Sequence, residues 1–331
     1  MIMQIFSFVK KNWFIIGIFI AVTCGYYFPE VAKTINQKDF FSAFLVIFLF
    51  FIQGFILQKE KIFSGLKNIK LHVVILFFTF IFYPIYFFVF MKALLHINNE
   101  GIIAGLFILS CLPTTIASSA VCTGLAGGNV SGSIFNAVIS NMLGVFITPL
   151  LFSFILRTSM LALPLSVISD VLMSLVIRII IPMVLGMIFR NFVIGFVEKN
   201  KKKFSVASST AVLFILFIAF AGSSDTITLD LITTLYPVFI FLAATYWIVS
   251  FVIYKFTRLI GFPDDDIIAS VFSAAQKTLA MGAPLITLYF KDSQQMLGII
   301  LIPVIFYQAW QLFSSSFMIR YFLWKKKSQE M

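Results

Sequence analysis

An all-α integral membrane protein with ten transmembrane helices is the fold class this sequence predicts, and three observations carry it. Of the 331 residues, 61% are hydrophobic and only 11% are charged, far less charge than a water-facing surface of this size carries. Apolar runs of about 20 residues recur along the chain, the length that takes a helix across a bilayer core. The runs are continuous rather than alternating. Because the backbone must satisfy its own hydrogen bonds in lipid, continuous runs predict helices and not a barrel.

The spans are placed at 13–28, 40–57, 71–95, 102–126, 131–156, 165–189, 204–222, 231–256, 264–289 and 295–323. The first follows Lys10 and Lys11 but is too long for a leader and lacks a small-x-small cleavage site, so it is read as the first membrane helix. With ten spans both termini share a side. That side collects 17 Lys and Arg, in the N-terminal arm, 58–70, 190–203, 255–263 and the C-terminal tail, against 5 on the other. The asymmetry puts the termini in the cytoplasm. The Lys-, Ile- and Phe-rich usage points to a multi-pass protein of a bacterial inner (plasma) membrane. The net charge of +11 is explained by these loops, so no nucleic-acid partner is expected; the partners are the lipid bilayer and a small-molecule solute. Cys24, Cys111 and Cys122 lie in apolar runs without metal spacing and are read as small buried hydrophobes.

The chain reads as one membrane domain, 1–331, with related halves at 12–156 and 165–323. FIIGIFIAVTCGYYF of the first span resembles LVIRIIIPMVLGMIF of the sixth, and AFLVIFLFFIQGF of the second resembles AVLFILFIAFAGS of the seventh. Two five-helix units in series have opposite orientations, which is the inverted-repeat plan of many secondary transporters.

The fourth helix of each half is polar where it ought to be most apolar. In the first half the run is Ser110–Cys111–Leu112–Pro113–Thr114–Thr115–Ile116–Ala117–Ser118–Ser119, and Pro113 removes a donor and clashes with the preceding turn near the centre of the span. In the second half it is Ser273–Ala274–Ala275–Gln276–Lys277–Thr278, followed by Gly282, Ala283 and Pro284. A broken helix exposes N–H groups at one half-helix and C=O groups at the other, so it binds anions, cations or both. Paired interruptions of this kind are the strongest sequence pointer to a transport site. The competing reading is a Pro kink whose hydroxyls bond back to the helix.

Lys277 lies near mid-membrane, where a charged Lys costs about 2.5–3.5 kcal/mol. No Asp or Glu falls deep in a span, so three states fit it: neutral, held by half-helix carbonyls, or paired with an anionic substrate. A purely structural tie between the broken helices fits as well. Arg178 is the other buried cation, and a salt link to Asp170 competes with a substrate role. On the fifth helix, Ser133, Asn136 and Ser140 share a face, with Asn141 beside them, and either line the site or bridge packed helices. Gln53, Gln308 and Gln311 are weaker signals of the same kind. Asp264, Asp265 and Asp266 are expected to cap the ninth helix.

Residues 112–151, LPTTIASSAVCTGLAGGNVSGSIFNAVISNMLGVFITPLL, and 273–285, SAAQKTLAMGAPL, resemble the bile acid/sodium symporter superfamily, most closely its SBF-like branch. The resemblance implies two inverted five-helix repeats, a panel of two helices per repeat, and a core in which helices 4 and 9 cross at their breaks. It also implies alternating access. It maps the family's Ser-Asn sodium-ligand pair onto Ser118 and Ser119, a fifth-helix Ser onto Ser133, and a ninth-helix Gln onto Gln276. Sodium is thus the one cofactor implied, held by those four. The same mapping places Ala137 at the family's Thr, Phe272 at its Glu and Lys277 at its Asn, so a carboxylate is lost and a cation gained.

The expected function is therefore secondary active transport of a small, anionic organic solute, coupled to sodium or to protons through Lys277. Thr114, Thr115, Ser118, Ser119, Ser133, Asn136, Ser140, Asn141, Gln276, Lys277 and Thr278 are the candidate substrate- or ion-binding residues. The alternative is a non-transporting regulator of ion homeostasis that keeps the fold. No nucleophile–base pair, HExxH or GxSxG supports an enzyme.

Overall fold

The computed structural model describes residues 2–57, 68–94, 97, 99–158, 173–174, 176–291 and 293–330, and the described residues are helical throughout apart from turns and short connections. The helices are α1 (Ile2–Tyr27), α2 (Pro29–Ile35), α3 (Phe40–Ile56), α4 (Ile69–Phe77) and α5 (Tyr83–Leu94) joined by a π-turn at Phe78–Phe82, α6 (Glu100–Cys111), α7 (Ala117–Leu125) and α8 (Val130–Thr158). A second π-turn, Val176–Ile180, leads into α9 (Ile181–Phe192), followed by α10 (Ile194–Gly222), α11 (Leu229–Leu259), α12 (Asp264–Ala275), α13 (Leu279–Tyr289) and α14 (Gln294–Glu330).

Among the described residues five stretches are long and apolar enough to cross a membrane: Ile69–Phe90, Val130–Phe154, Ile194–Gly222, Thr233–Leu259 and Gln294–Ser328. The pair Trp13–Tyr27 and Pro29–Ile35 qualifies as a sixth, bent by 96°. The expected spans at 102–126 and 264–289 are each two short helices, because the chain breaks after Cys111 and after Ala275. Part of the expected sixth span, with Asp170, lies outside the described residues, as does His96.

Three boundaries differ from expectation, the first being that α1 already starts at Ile2 rather than near 13. The charged stretch 190–203, read as a loop, is largely helical: α10 starts at Ile194 and carries Lys199, Lys201, Lys202 and Lys203. Lysine is a good helix former and no Pro or Gly follows Gly195 until Gly222, so the helix runs on through its polar end. For the same reason α14 continues past 323 to Glu330.

The chain divides into two compact units. Unit 1 comprises Met1–Leu57, Leu163–Leu231 and Gly282–Ile302. In it α1 packs on α10, and α3 packs on both α9 and α10. Small residues permit these approaches, as membrane helix packing requires. A Cβ on Gly54 would collide with the carbonyl oxygen of Met183, and one on Gly186 with that of Phe51. Arg190 is buried at the end of α9, paired with the Glu198 carboxylate and donating to the Phe55 carbonyl at 3.4 Å.

Unit 2 comprises Gln58–Ala162, Ile232–Met281 and Pro303–Met331. One carboxylate organises three helix N-termini within it. Asn68 caps α4 by accepting from Leu71 N–H at 3.2 Å, and Asn129 caps α8 by accepting from Gly132 N–H at 2.8 Å. The amides of both Asn side chains donate to Asp266, at 2.6 and 2.7 Å, in the first turn of α12. A negative charge where three helix dipoles point their positive ends is favourable. The expected capping by Asp264–Asp266 is met only in part: all three lie in the first turn and Asp265 accepts from Asp266 N–H at 3.0 Å. The N-cap of α12 is Pro263 with no side-chain cap, Asp264 pairs with Lys325 at 2.8 Å, and Asp266 acts through the caps of its neighbours.

Gly54→Ala and Gly186→Ala are expected to destabilise the protein by about 1–3 kcal/mol, because overpacking against backbone outweighs the roughly 1 kcal/mol gain in helix propensity. Gly195→Ala, where nothing lies within 4 Å of the added Cβ, is the control without a clash and is expected to stabilise by up to about 1 kcal/mol. Thermal unfolding in detergent measures all three.

Candidate functional site

The two breaks meet inside unit 2. At the first, α6 ends at Cys111 and α7 begins at Ala117. Pro113 forces the interruption, and Gly144 on α8 makes room for it: a Cβ there would lie 2.8 Å from the proline ring. Unpaired carbonyls are costly in a dry interior, and each one here has a partner. Ser110 and Leu112 carbonyls accept from Lys277 Nζ at 3.0 and 2.9 Å, and the Cys111 carbonyl accepts from the Thr148 hydroxyl at 2.8 Å. The Pro113 carbonyl accepts from Thr278 N–H at 3.0 Å, and the Thr114 carbonyl from the Asn141 amide at 2.8 Å. Thr114 N–H donates to the Ser140 hydroxyl at 3.2 Å.

The second break, between Ala275 and Leu279, is settled by side chains of α14. Gln311 reads the Lys277 peptide from both sides, accepting from its N–H and donating to its carbonyl, each at 2.8 Å. Gln308 accepts from Leu279 N–H at 3.3 Å. At the end of α12, the Ala275 carbonyl accepts from the hydroxyls of Tyr83 and Tyr307, both at 2.9 Å. The two hydroxyls lie 2.6 Å apart.

Lys277 is 1% exposed, and its ammonium has three donors. All three are used, on the carbonyls of Thr79, Ser110 and Leu112 at 2.9–3.0 Å, and the Tyr83 ring lies 4.2 Å away as a cation–π partner. The Thr79 carbonyl is available for a reason legible in the chain. It lies in the π-turn, five residues before Pro84, and proline has no N–H to return to it. Of the states open to Lys277, the geometry matches the one in which half-helix carbonyls hold it.

Thr115, Ser118 and Gln276 form a second polar cluster. Both hydroxyls lie 2.7 Å from Gln276 Oε1 and they also touch each other. Two hydroxyl protons serve three oxygen–oxygen contacts, so one contact has no hydrogen to fill it. Gln276 Nε2 donates to Ser315 at 3.1 Å. Neutral oxygens of this kind suit a hard monovalent cation in donor type. Of the four residues the resemblance implies as sodium ligands, Ser118 and Gln276 are thus together. Ser119 instead donates to the Thr115 carbonyl, and Ser133 accepts from Ser273 at 2.9 Å. Phe272 is fully buried against the Phe322 ring and supplies no charge.

The face shared by Ser133, Asn136 and Ser140 is divided among three partners. Ser140 reaches the first break and Ser133 reaches α12, whereas the Asn136 amide lies 2.8 Å from His72 Nδ1 on α4. Asn141, expected beside that face, reaches the first break. Sequence reasoning underweighted Gln308 and Gln311 and missed Thr79, Tyr83, Tyr307 and Ser315. The i, i+3 spacing of Gln308 and Gln311 inside an apolar helix was the available signal; the tyrosines gave none, because a membrane helix carries them for many reasons. Arg178 stands in unit 1, in the second π-turn.

Helices that cross a membrane several times and two broken ones that meet at a buried ammonium define a multi-pass membrane protein of the transporter type. A family model, the SBF-like CPA transporter family, matches residues 12–324, and the chain belongs to that family. It is a family of transporters, not enzymes. The chain is 29% identical over 324 residues to sodium/bile acid cotransporter 7 of Danio rerio, covering 96% of this chain and 95% of that one. It is 28% identical over 318 residues to sodium/bile acid cotransporter 7-B of Xenopus laevis, covering 94% and 91%. An uncharacterized protein of Pseudomonas aeruginosa is 25% identical over 305 residues, covering 90% and 89%.

Gln311→Leu removes both bonds to the Lys277 peptide and leaves a buried N–H and C=O unpaired. It is expected to cost about 2–5 kcal/mol, whereas Gln311→Glu, which keeps an acceptor, costs less. Detergent unfolding of the two variants against wild type measures the difference.

Proposed function

We propose that this protein is a secondary active transporter of a small organic anion, working by alternating access. The observation that carries the reading is the pair of helix breaks joined by Lys277: such a junction, in a chain of this family, is where a transporter binds and couples. The proposed layout is ten spans in two inverted repeats, 12–156 and 165–323, with both termini in the cytoplasm of a cell whose inner membrane holds the protein. The asymmetry of Lys and Arg supports the orientation. The division into units supports a panel and a core, since unit 1 holds α1, α3, α9 and α10 and unit 2 holds both breaks.

Coupling is assigned to the junction. Lys277 already supplies a cation to carbonyls freed by the breaks, which favours a proton carried on its ammonium. Tyr83 and Cys111 are the titratable neighbours. The relatives named sodium/bile acid cotransporter keep sodium as the second candidate, held by Thr115, Ser118 and Gln276. One feature favours a regulator that does not transport: every donor of the ammonium is engaged, as in a locked structural tie.

Uptake and stability separate these readings. Reconstituted wild type is expected to accumulate an organic anion under an imposed proton gradient, and Lys277→Met is expected to lose at least about tenfold of that rate, the size of one buried charged interaction. A ligand that binds the folded state raises its unfolding midpoint. Sodium-specific protection of both wild type and Lys277→Met assigns coupling to the oxygen cluster. Wild type that binds anions yet moves none in either gradient favours the regulator.

A further inference from the structure

Unit 1 contains a small cavity, open at its mouth, in which Val46, Ile215, Ile218 and Leu297 of α3, α10 and α14 supply the apolar part of the wall. Arg178 and Lys291 both line it. Arg178 is half-buried in the Val176–Ile180 π-turn, a feature often found at functional sites because the extra residue re-aims a side chain. Lys291 is exposed at the end of the turn after α13.

The other polar groups of the lining are already partnered. Asp39 Oδ1 accepts from Asn36 at 3.1 Å and from Gln294 at 2.6 Å. Asn36 Oδ1 accepts from Ser42 N–H at 2.9 Å, and the Thr287 hydroxyl donates to the Ala283 carbonyl at 3.0 Å. The ion pairs among the described residues join Lys33 to Glu30, Arg190 to Glu198 and Lys325 to Asp264, so neither Arg178 nor Lys291 is in one. Two cations therefore share a cavity of mixed lining with one carboxylate, one oxygen of which is held by amides. A guanidinium in such a wall is expensive to leave without a counter-charge, and its planar fork fits the two oxygens of a carboxylate or phosphate.

We propose that this cavity binds the oxyanion of a small solute, a carboxylate or phosphate, with Arg178 as its bidentate partner and Lys291 drawing it to the mouth. The role of that solute as cargo rests on the transport reading; the binding does not. Under the proposed orientation the mouth faces away from the cytoplasm.

The test uses the full chain in non-ionic detergent at constant ionic strength, with unfolding followed against inorganic phosphate, acetate and dihexanoylphosphatidylglycerol, chloride being the balancing anion. Phosphate or acetate is expected to raise the unfolding midpoint of wild type, with half-maximal concentration shifted at least about tenfold in Arg178→Gln, less in Arg178→Lys, and a few-fold in the exposed Lys291→Gln. Gly195→Ala, where the added Cβ meets nothing within 4 Å, is expected to keep the response. If only the phosphatidylglycerol protects and Arg178→Gln abolishes it, the oxyanion is a lipid headgroup and the site stands. Equal protection of wild type, Arg178→Gln and Lys291→Gln by every anion, or of none, overturns the site. So does loss of the response in Asp170→Asn with Arg178 intact, which would make Asp170 the organiser. Uptake measured alongside keeps the two readings apart: binding without uptake refutes transport, and uptake undiminished in Arg178→Gln with no anion protection refutes the cavity.

Discussion

A membrane helix that breaks in mid-span must find partners for backbone groups that water cannot reach, and most of unit 2 follows from that requirement. Each N–H or C=O left unpaired in such a place costs several kcal/mol. Five consecutive carbonyls, from Ser110 to Thr114, are exposed by the first break, and each is met by a side chain or by the other break. The second break is met by Gln308, Gln311, Tyr83 and Tyr307. The polar residues of α14 and of the π-turned α4–α5 stretch are therefore explained by geometry far from them in the chain.

Lys277 is the centre of this network because an ammonium is the one side-chain group that donates three bonds from a single atom. Its acceptors come from three places: the π-turn before Pro84, the end of α6, and the residue after that end. Two of those carbonyls are freed by broken helix geometry and the third by a missing proline N–H. A cation held by convergent carbonyls is also how backbone binds a metal ion. Any rearrangement of the junction would have to exchange these bonds together.

Unit 1 has a different electrostatic character. Its helices pack through Gly54 and Gly186 at backbone distance, and its buried Arg190 is matched by Glu198. Among the described residues neither Arg178 nor Lys291 is in an ion pair, and both line one cavity.

The sequence alone determined the class of the protein, the positions of both breaks and the importance of Lys277. Each of these is written in local terms: long apolar runs, a proline in mid-span, a polar run where none belongs, and a charge without a nearby carboxylate. It did not decide which partners those groups take. Asp264–Asp266 read as a cap for their own helix, yet Asp266 serves the caps of α4 and α8, because three N-termini converge there in space. Ser118 and Gln276 meet, but Ser119 and Ser133 bond elsewhere, although all four carry the same donor chemistry. Thr79, Tyr83 and Tyr307 gave no sequence signal, since a carbonyl becomes an acceptor only when a break in another helix is brought against it. Hydropathy and helix breakage are properties of neighbouring residues; the pairing of buried polar groups is a property of segments nearly two hundred residues apart, and only the tertiary structure sets it.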